Sequence, residues 1–159
     1  MSHALPARPR VIATKRTFVM VASQYNPEYV QGLIDHVKKE LQVLVPNATT
    51  TLIQVPGSFE IPIAVQEVAR KGGVDAIIAL GVIFQGATGH AGHIAEAITS
   101  GLMQISLANR IPVIHEVLTV TNDEQAKARC LGDEINRGTE AARAAVRIAA
   151  VINDFKGKS

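Results

Sequence analysis

The segment Gly86-Ala87-Thr88-Gly89-His90 combines residue types that bind an anion with one that transfers protons. Small residues and the Thr88 hydroxyl stand on a turn before a helical pattern, Ile94 to Leu107, and free backbone N–H groups at such a turn hold anions. His90 adds the side chain best suited to moving protons near neutral pH. An anion cradle beside a proton-transfer group predicts chemistry on a phosphorylated small molecule.

Other interpretations of these residues stay open. The glycines also serve simply to turn the chain, and His90 taken alone also fits a surface or capping role. His90, His93 and His115 raise a zinc hypothesis, because the first two share a helical face. No cysteine or clear carboxylate completes a ligand set, so we expect no metal site. Cys130 has no triad partners around it in sequence, which argues against a nucleophile.

Apolar runs separated by helical patterns and turn residues predict the elements that position these side chains. Asn26 and Pro27 resemble the N-cap and first residue of a helix, and Asn122 or Asp123 resembles the cap of a later, short helix. The predicted strands are Phe18–Ala22, Thr50–Val55, Ala76–Phe84 and Ile111–Thr119, and the predicted helices are Val30–Leu41, a segment through Val65 that ends near Gly72, Ile94–Leu107, Glu124–Cys130 and a last helix from about Gly138 to Ile152.

Strands that alternate with helices predict a four-stranded parallel sheet covered on both faces, a three-layer α/β sandwich of the flavodoxin-like, doubly wound kind. Ligands of such sheets bind beyond the carboxyl ends of the strands. Polar residues fall there: Tyr25 and Asn26 after the first strand, Ser58 to Glu60 after the second, Gly86 to His90 after the third, and His115 at the end of the fourth. We expect these groups to converge on one site.

Length and composition set the remaining limits. The 159 residues, 47% of them apolar, suffice for one domain, which we place at residues 17–159 after a flexible, basic arm at residues 1–16. The basic residues are not interleaved with aromatic ones, which argues against a nucleic-acid partner. No apolar run is long enough for a membrane span, and no signal peptide is visible at the N-terminus. With a lone cysteine, the chain fits a reducing cytoplasm.

Taken together, the motifs resemble the 6,7-dimethyl-8-ribityllumazine synthase family, over about Phe18 to Ile152. No single motif is specific, but their ordered set is. The motifs are Tyr25-Asn26, Val55 to Pro62, Leu80 to Ile83, Gly86 to His90, Pro112 to Ile114, Leu118-Thr119, Glu124 to Ala126, Arg129, and Asn136 to Gly138.

The resemblance implies a condensation of 5-amino-6-(D-ribitylamino)uracil with 3,4-dihydroxy-2-butanone 4-phosphate in riboflavin biosynthesis. Both reacting groups belong to the substrates, so the resemblance implies no cofactor. It assigns proton transfer to His90, phosphate binding to Arg129 with Ala87 and Thr88, and stacking on the pyrimidine to Tyr25. The ring and ribityl pocket would be lined by Asn26, Ser58, Phe59, Glu60, Val82, Ile83, Phe84 and His115.

The resemblance also implies a homopentamer with sites between neighbouring subunits, Tyr25 and His90 coming from one chain and His115 and Arg129 from the next. Asp133 and Glu134 replace the Lys-Ala-Gly turn of capsid-forming members, which favours a free pentamer over a capsid.

Four further residues depart from the family's pattern. His115 stands where an aromatic residue such as Phe is common, Gln85 where Arg is common, and Ala91-Gly92 where an aromatic–acidic pair is usual. The last change motivates an alternative function, a catalytically weak oligomer that binds flavins or lumazines, and a purely structural oligomer is a further alternative.

Overall fold

The computed structural model describes residues 3–10 and 15–157, and its centre is a four-stranded parallel sheet. The strands are β1 Thr17–Ser23, β2 Thr49–Val55, β3 Ala76–Phe84 and β4 Val113–Val120, and the helices are α1 Pro27–Leu44, α2 Ile61–Lys71, α3 His90–Asn109, α4 Asp123–Cys130 and α5 Arg137–Phe155. The strand order is β2-β1-β3-β4, with β3 between β1 and β4. Helices cover both faces, so the predicted three-layer, flavodoxin-like sandwich is confirmed.

The alternation of side chains along the strands divides the core into two layers. On one face, Phe18, Met20 and Leu80 pack with apolar residues of α1, α4 and α5. On the other face, Val21 and Ile77 pack with apolar residues of α2 and α3. All four strands therefore run in one direction between two helical layers, and their carboxyl ends open onto the same edge.

The prediction of Asn26 as the N-cap and Pro27 as the first residue of a helix is confirmed, but the Asn26 side chain has another partner. Asn26 precedes Pro27, the first residue of α1, but its side chain does not cap the helix. Its backbone is left-handed (φ 55°), a conformation that Asn tolerates better than most residues, and its Nδ2 donates instead to the carbonyl of Val82 at 2.8 Å. Of the two candidates at α4, Asn122 is the cap: its side chain accepts from the Gln125 N–H.

The placement of His115 at the end of the fourth strand was wrong. His115 is the third residue of β4 and pairs with Ala79 in the middle of β3. The predicted strand, Ile111–Thr119, agrees closely with the observed Val113–Val120, so only the position of His115 along the strand was misjudged. A polar residue is tolerated in the middle of this strand because β4 lies at the sheet edge.

Residues 3–10 of the N-terminal segment contact α1 and α5. Arg8 Nε donates to Oε1 of Glu40 at 2.8 Å, and Arg143 Nε donates to the same oxygen at 2.8 Å. Arg143 also donates to the carbonyl of Pro6. Residues 11–14 of the predicted flexible arm lie outside the described residues, and the arm's flexibility remains a prediction. Among the helices of the described chain, none combines the length and apolar character needed to cross a bilayer.

Candidate active site

Gly57 lies at the centre of the residues that follow β1 and β2. A side chain on Gly57 would begin 2.7 Å from Cε2 of Tyr25 and 2.9 Å from Oε2 of Glu60, so both groups crowd its Cα atom. The Gly57 N–H donates to Oε2 of Glu60 at 2.8 Å, and the Tyr25 N–H donates to the carbonyl of Pro56. These contacts place the Tyr25 ring and the Glu60 carboxylate side by side, as the predicted convergence requires.

β3 approaches the same set of residues at two positions, Val82 and Gly81. Nδ2 of Asn26 is bonded to the Val82 carbonyl, and a side chain on Gly81 would begin 2.7 Å from Oγ of Ser58 and 3.2 Å from Oγ of Ser23. Glycine at position 81 therefore lets two hydroxyl-bearing segments approach β3 closely. The predicted residues after strands one, two and three do lie at one edge of the sheet.

Two apolar residues of the predicted pocket, Val82 and Phe84, pack mainly in the core. Val82 is buried in the layer beneath α1 and α5, and the Phe84 ring packs against Tyr29 with ring centroids 5.8 Å apart. Any ligand contact of Val82 therefore involves its backbone. Tyr25 and Phe59, in contrast, are 67% and 62% exposed, a large aromatic surface available to a ligand or a second chain.

The cradle segment leads directly into α3, which begins at His90, four residues earlier than predicted. The small residues Ala91 and Gly92 show no apolar periodicity, which hid this first turn. Gly89 occupies the N-cap position without a capping side chain, so the N–H groups of the first turn stay available to an anion. Ala87, Thr88 and His90 are exposed beside them.

His115 lies away from this edge, and hydrogen bonds with β4 and α3 engage both nitrogens of its ring. The Val117 N–H donates to Nδ1 of His115 at 3.2 Å, and Nε2 lies 2.8 Å from Oγ1 of Thr99. The Thr99 hydroxyl donates to the carbonyl of Ala95 at 2.8 Å. Partial burial lowers the pKa of His115 below its ordinary value of 6.5. Thr99 is nine residues beyond His90, which corresponds to about 14 Å along a helix axis.

Arg129 lies near the end of α4, and its Nη1 donates to the Gln125 carbonyl of its own helix at 3.4 Å. No hydrogen bond or ion pair of the described residues joins it to His90 or Tyr25. Next in sequence, Cys130 is fully buried, and burial raises the pKa of its thiol to about 12, with Arg129 opposing the shift. Such a thiol is inert, in agreement with the prediction against a nucleophile.

Sequence reasoning missed a charged group between α5 and β4. Arg137, only 4% exposed, forms an ion pair with Glu140 one turn later. Burial raises the pKa of Glu116 on the facing strand to about 8; Glu140 adds to this shift and Arg137 opposes it. The signal was present in the sequence, as an Arg and a Glu three residues apart after the helix cap Asn136.

The described residues contain no group of three or more His, Cys, Asp or Glu side chains placed to hold a metal ion. His90 and His93 share the first turn of α3, while His115 is bonded to Thr99. The three histidines of the zinc hypothesis therefore do not converge within the described part of the chain.

Comparison with known families decides among the candidate chemistries. The family model for 6,7-dimethyl-8-ribityllumazine synthase matches residues 15–153. The chain belongs to the lumazine synthase family. The match spans all four strands and extends from the segment before β1 into the last turns of α5.

Curated relatives agree with this assignment of the chain to the lumazine synthase family. The 6,7-dimethyl-8-ribityllumazine synthase of Halorhodospira halophila is 39% identical over 140 residues, which cover 87% of this chain and 90% of that protein. The synthase of Streptomyces coelicolor is 38% identical, covering 84% and 83%, and that of Salinibacter ruber is 36% identical, covering 88% and 90%. Each match therefore spans more than four fifths of both this chain and the relative.

Proposed function

We propose that this protein catalyses the last condensation before riboflavin, forming 6,7-dimethyl-8-ribityllumazine from 5-amino-6-(D-ribitylamino)uracil and 3,4-dihydroxy-2-butanone 4-phosphate. The family match over residues 15–153 carries this proposal. The contact of Tyr25 and Glu60 around Gly57, at the sheet edge where the cradle also follows β3, supports it, because the fold binds ligands there.

The reaction needs positioning and proton transfer more than a protein nucleophile. The substrate amine attacks the ketone and water leaves as the imine forms. Phosphate is then eliminated, and a second amine closes the ring with loss of a second water. Holding the two substrates together supplies most of the acceleration, and acid–base help adds about 10²–10⁴-fold.

Each proposed residue has a role that its chemistry allows. His90, exposed at the start of α3, transfers protons during imine formation and phosphate elimination. The first-turn N–H groups beside Ala87 and Thr88 hold the phosphate together with Arg129. The exposed Tyr25 ring stacks on the pyrimidine, and Glu60 accepts from ribityl hydroxyls. Asn26, Ser58, Phe59 and the end of β3 line the remaining pocket.

A complete site then requires two copies of the chain. His90 and Tyr25 lie at the carboxyl edge of the sheet, whereas His115 is bonded to Thr99 about 14 Å further along α3. Within the described part of the chain, no hydrogen bond or ion pair joins Arg129 to the edge residues. We therefore propose a homo-oligomer, a pentamer without a capsid, in which His115 and Arg129 complete the site of the neighbouring subunit.

The direct test is a steady-state assay of lumazine formation by absorbance, corrected for the uncatalysed condensation. We expect saturable turnover, a loss of kcat in His90→Ala, and a raised KM for the butanone phosphate in Arg129→Ala. Lys127→Ala is the matched control, because Lys127 is an exposed cation on the same helix. A folded, oligomeric protein that binds riboflavin or lumazine tightly without turnover would replace the enzyme with the ligand-binding alternative.

Mixed oligomers test the shared site. When His90→Ala and Arg129→Ala subunits are unfolded and refolded together, about one site in four combines an intact His90 with an intact Arg129 from its neighbour. At butanone phosphate concentrations well below the raised KM of Arg129→Ala, we expect activity well above that of either variant alone. A mixture no more active than its components, or a fully active monomer at high dilution, would contradict a site between subunits.

A further inference from the structure

The polar atoms of the His115 ring are both engaged. Nδ1 accepts from the Val117 N–H at 3.2 Å, so it carries no hydrogen, and the ring hydrogen of a neutral imidazole therefore lies on Nε2. Nε2 then donates to Oγ1 of Thr99 at 2.8 Å. The bonding pattern selects one neutral tautomer.

Oγ1 of Thr99 can accept from Nε2 of His115 because its own hydroxyl hydrogen is directed elsewhere on α3. Its hydroxyl hydrogen is directed to the Ala95 carbonyl at 2.8 Å, which leaves a lone pair of Oγ1 facing His115. A protonated imidazole would need an acceptor at Nδ1, where the Val117 N–H stands instead. The network therefore excludes the imidazolium while it is intact.

His115 is only partly buried, so part of its ring stays accessible although both nitrogens are occupied. What it presents to a neighbour is an aromatic face with no free donor or acceptor, which is the surface that Phe would provide. A charged imidazole would be strongly hydrated, and a rotating one would not hold its face toward a neighbour.

We propose that Thr99 is a positioning residue of the active site: through Oγ1 it fixes His115 as a neutral, oriented aromatic surface for the pyrimidine substrate of the neighbouring subunit. The inference rests on the proposed function. The lowered pKa of His115 agrees with it, and the causes of that shift are burial, opposed by a backbone hydrogen bond, with no contribution from a charged side chain. Glu116, the nearest carboxylate in sequence, points to the opposite face of β4, toward Arg137 and Glu140 of α5.

Kinetics of Thr99→Val, which keeps the shape and removes the hydroxyl, test this role. We expect the KM for the ribitylaminouracil to rise about 3- to 10-fold, more at pH 6 than at pH 8, with a smaller change in kcat. Thr99→Ser should restore the KM. In a His115→Phe background, where no imidazole needs orienting, Thr99→Val should leave the KM unchanged. An equal effect of Thr99→Val in both backgrounds would overturn the proposal, since it would show a merely structural role.

Ring ¹⁵N NMR separates this proposal from the proposed function. The wild-type protein should show His115 as the Nε2–H tautomer from pH 6 to pH 8, and Thr99→Val should show mixed tautomers and titration nearer the ordinary pKa. A wild-type Nδ1–H tautomer or imidazolium would overturn the role of Thr99 even in an active enzyme. The expected spectra in a protein without turnover would refute the proposed function and leave the fixed tautomer standing.

Discussion

The Tyr25 ring lies so close to Gly57 that a methyl group on position 57 would begin 2.7 Å from its Cε2 atom. Gly57 has an extended backbone (φ −129°, ψ 176°) that any residue adopts, so glycine is needed here for space and not for conformation. The same methyl group would meet the Glu60 carboxylate at 2.9 Å. The absence of a side chain on Gly57 thus leaves room for two proposed substrate contacts, Tyr25 and Glu60, in their present positions.

Gly57→Ala should therefore displace the Tyr25 ring or the Glu60 carboxylate while leaving the core intact. Since misplacement by about 1 Å costs up to 10²-fold in rate, we expect kcat/KM to fall on the order of 10- to 100-fold with little change in circular dichroism. Gly101→Ala is the matched control, because a methyl group there meets Pro62 at an ordinary 3.6 Å. Equal kinetics of the two variants would show that the Tyr25 ring position does not matter for turnover.

Much of this architecture was readable from the sequence. Apolar runs bounded by Pro, Gly and Asn placed β1 to β4 within one or two residues, because buried parallel strands are nearly continuous in their apolarity. Polar residues after the first three strands were correctly expected at one edge, since parallel strands end together. These predictions depended on patterns within a single segment of chain.

What escaped prediction depends on pairs of residues that are distant in sequence or on the edge of the sheet. The Thr99–His115 bond joins residues 16 apart on different elements, and no local pattern announces it. His115 lies inside the predicted strand and not at its end, and no local pattern shows that this strand forms the sheet edge, where a polar residue is tolerated in mid-strand. Asn26 has the composition of a cap, but a partner on β3 competes for its side chain.

The contacts of Glu40 predict how strongly the N-terminal segment is held. Glu40, 5% exposed, accepts hydrogen bonds from Arg8 and Arg143, and the Arg8 hydrogen bond is the largest cause that lowers the pKa of Glu40 below 4.5. Glu40→Ala leaves the half-buried Arg143 without its carboxylate and should lower the free energy of unfolding by about 3 kcal/mol. Arg8→Ala should cost much less, because its side chain is half exposed.

Urea unfolding at fixed protomer concentration measures both losses, with the exposed Glu67→Ala as control. The carboxylate of Glu40 stabilises the fold above its unfolded pKa of 4.5, and this contribution is lost as the pH falls through the lower folded pKa. The gap between wild type and Glu40→Ala should therefore narrow in acid. A gap independent of pH would show that packing, and not charge, is what the variant removes.

We expect the Cys130 thiol of the folded protein to react slowly with thiol reagents. Its side chain is fully buried, and burial raises its pKa to about 12, so almost no thiolate exists in the folded protein near neutral pH. We expect a disulfide reagent at pH 8 to react at least about 100-fold more slowly with the native protein than with the urea-unfolded chain. Fast reaction of the native protein, in a sample with full activity, would mean that α4 opens readily.

The raised pKa of Glu116 predicts that the free energy of unfolding declines toward alkaline pH. Burial is the main cause that raises its pKa to about 8 from an ordinary 4.5, so between these values the unfolded chain releases a proton that the folded chain retains. The free energy of unfolding must therefore fall as the pH rises through this window.

Glu116→Gln keeps the shape of the protonated acid and removes this titration. We expect the variant to match the wild type near pH 5 and to become progressively more stable than it up to pH 8.5, in urea unfolding at fixed protomer concentration. Glu134→Gln, at an exposed position, should parallel the wild type throughout. Parallel curves for Glu116→Gln as well would show that Glu116 is ionised in the fold and that Arg137 outweighs its burial.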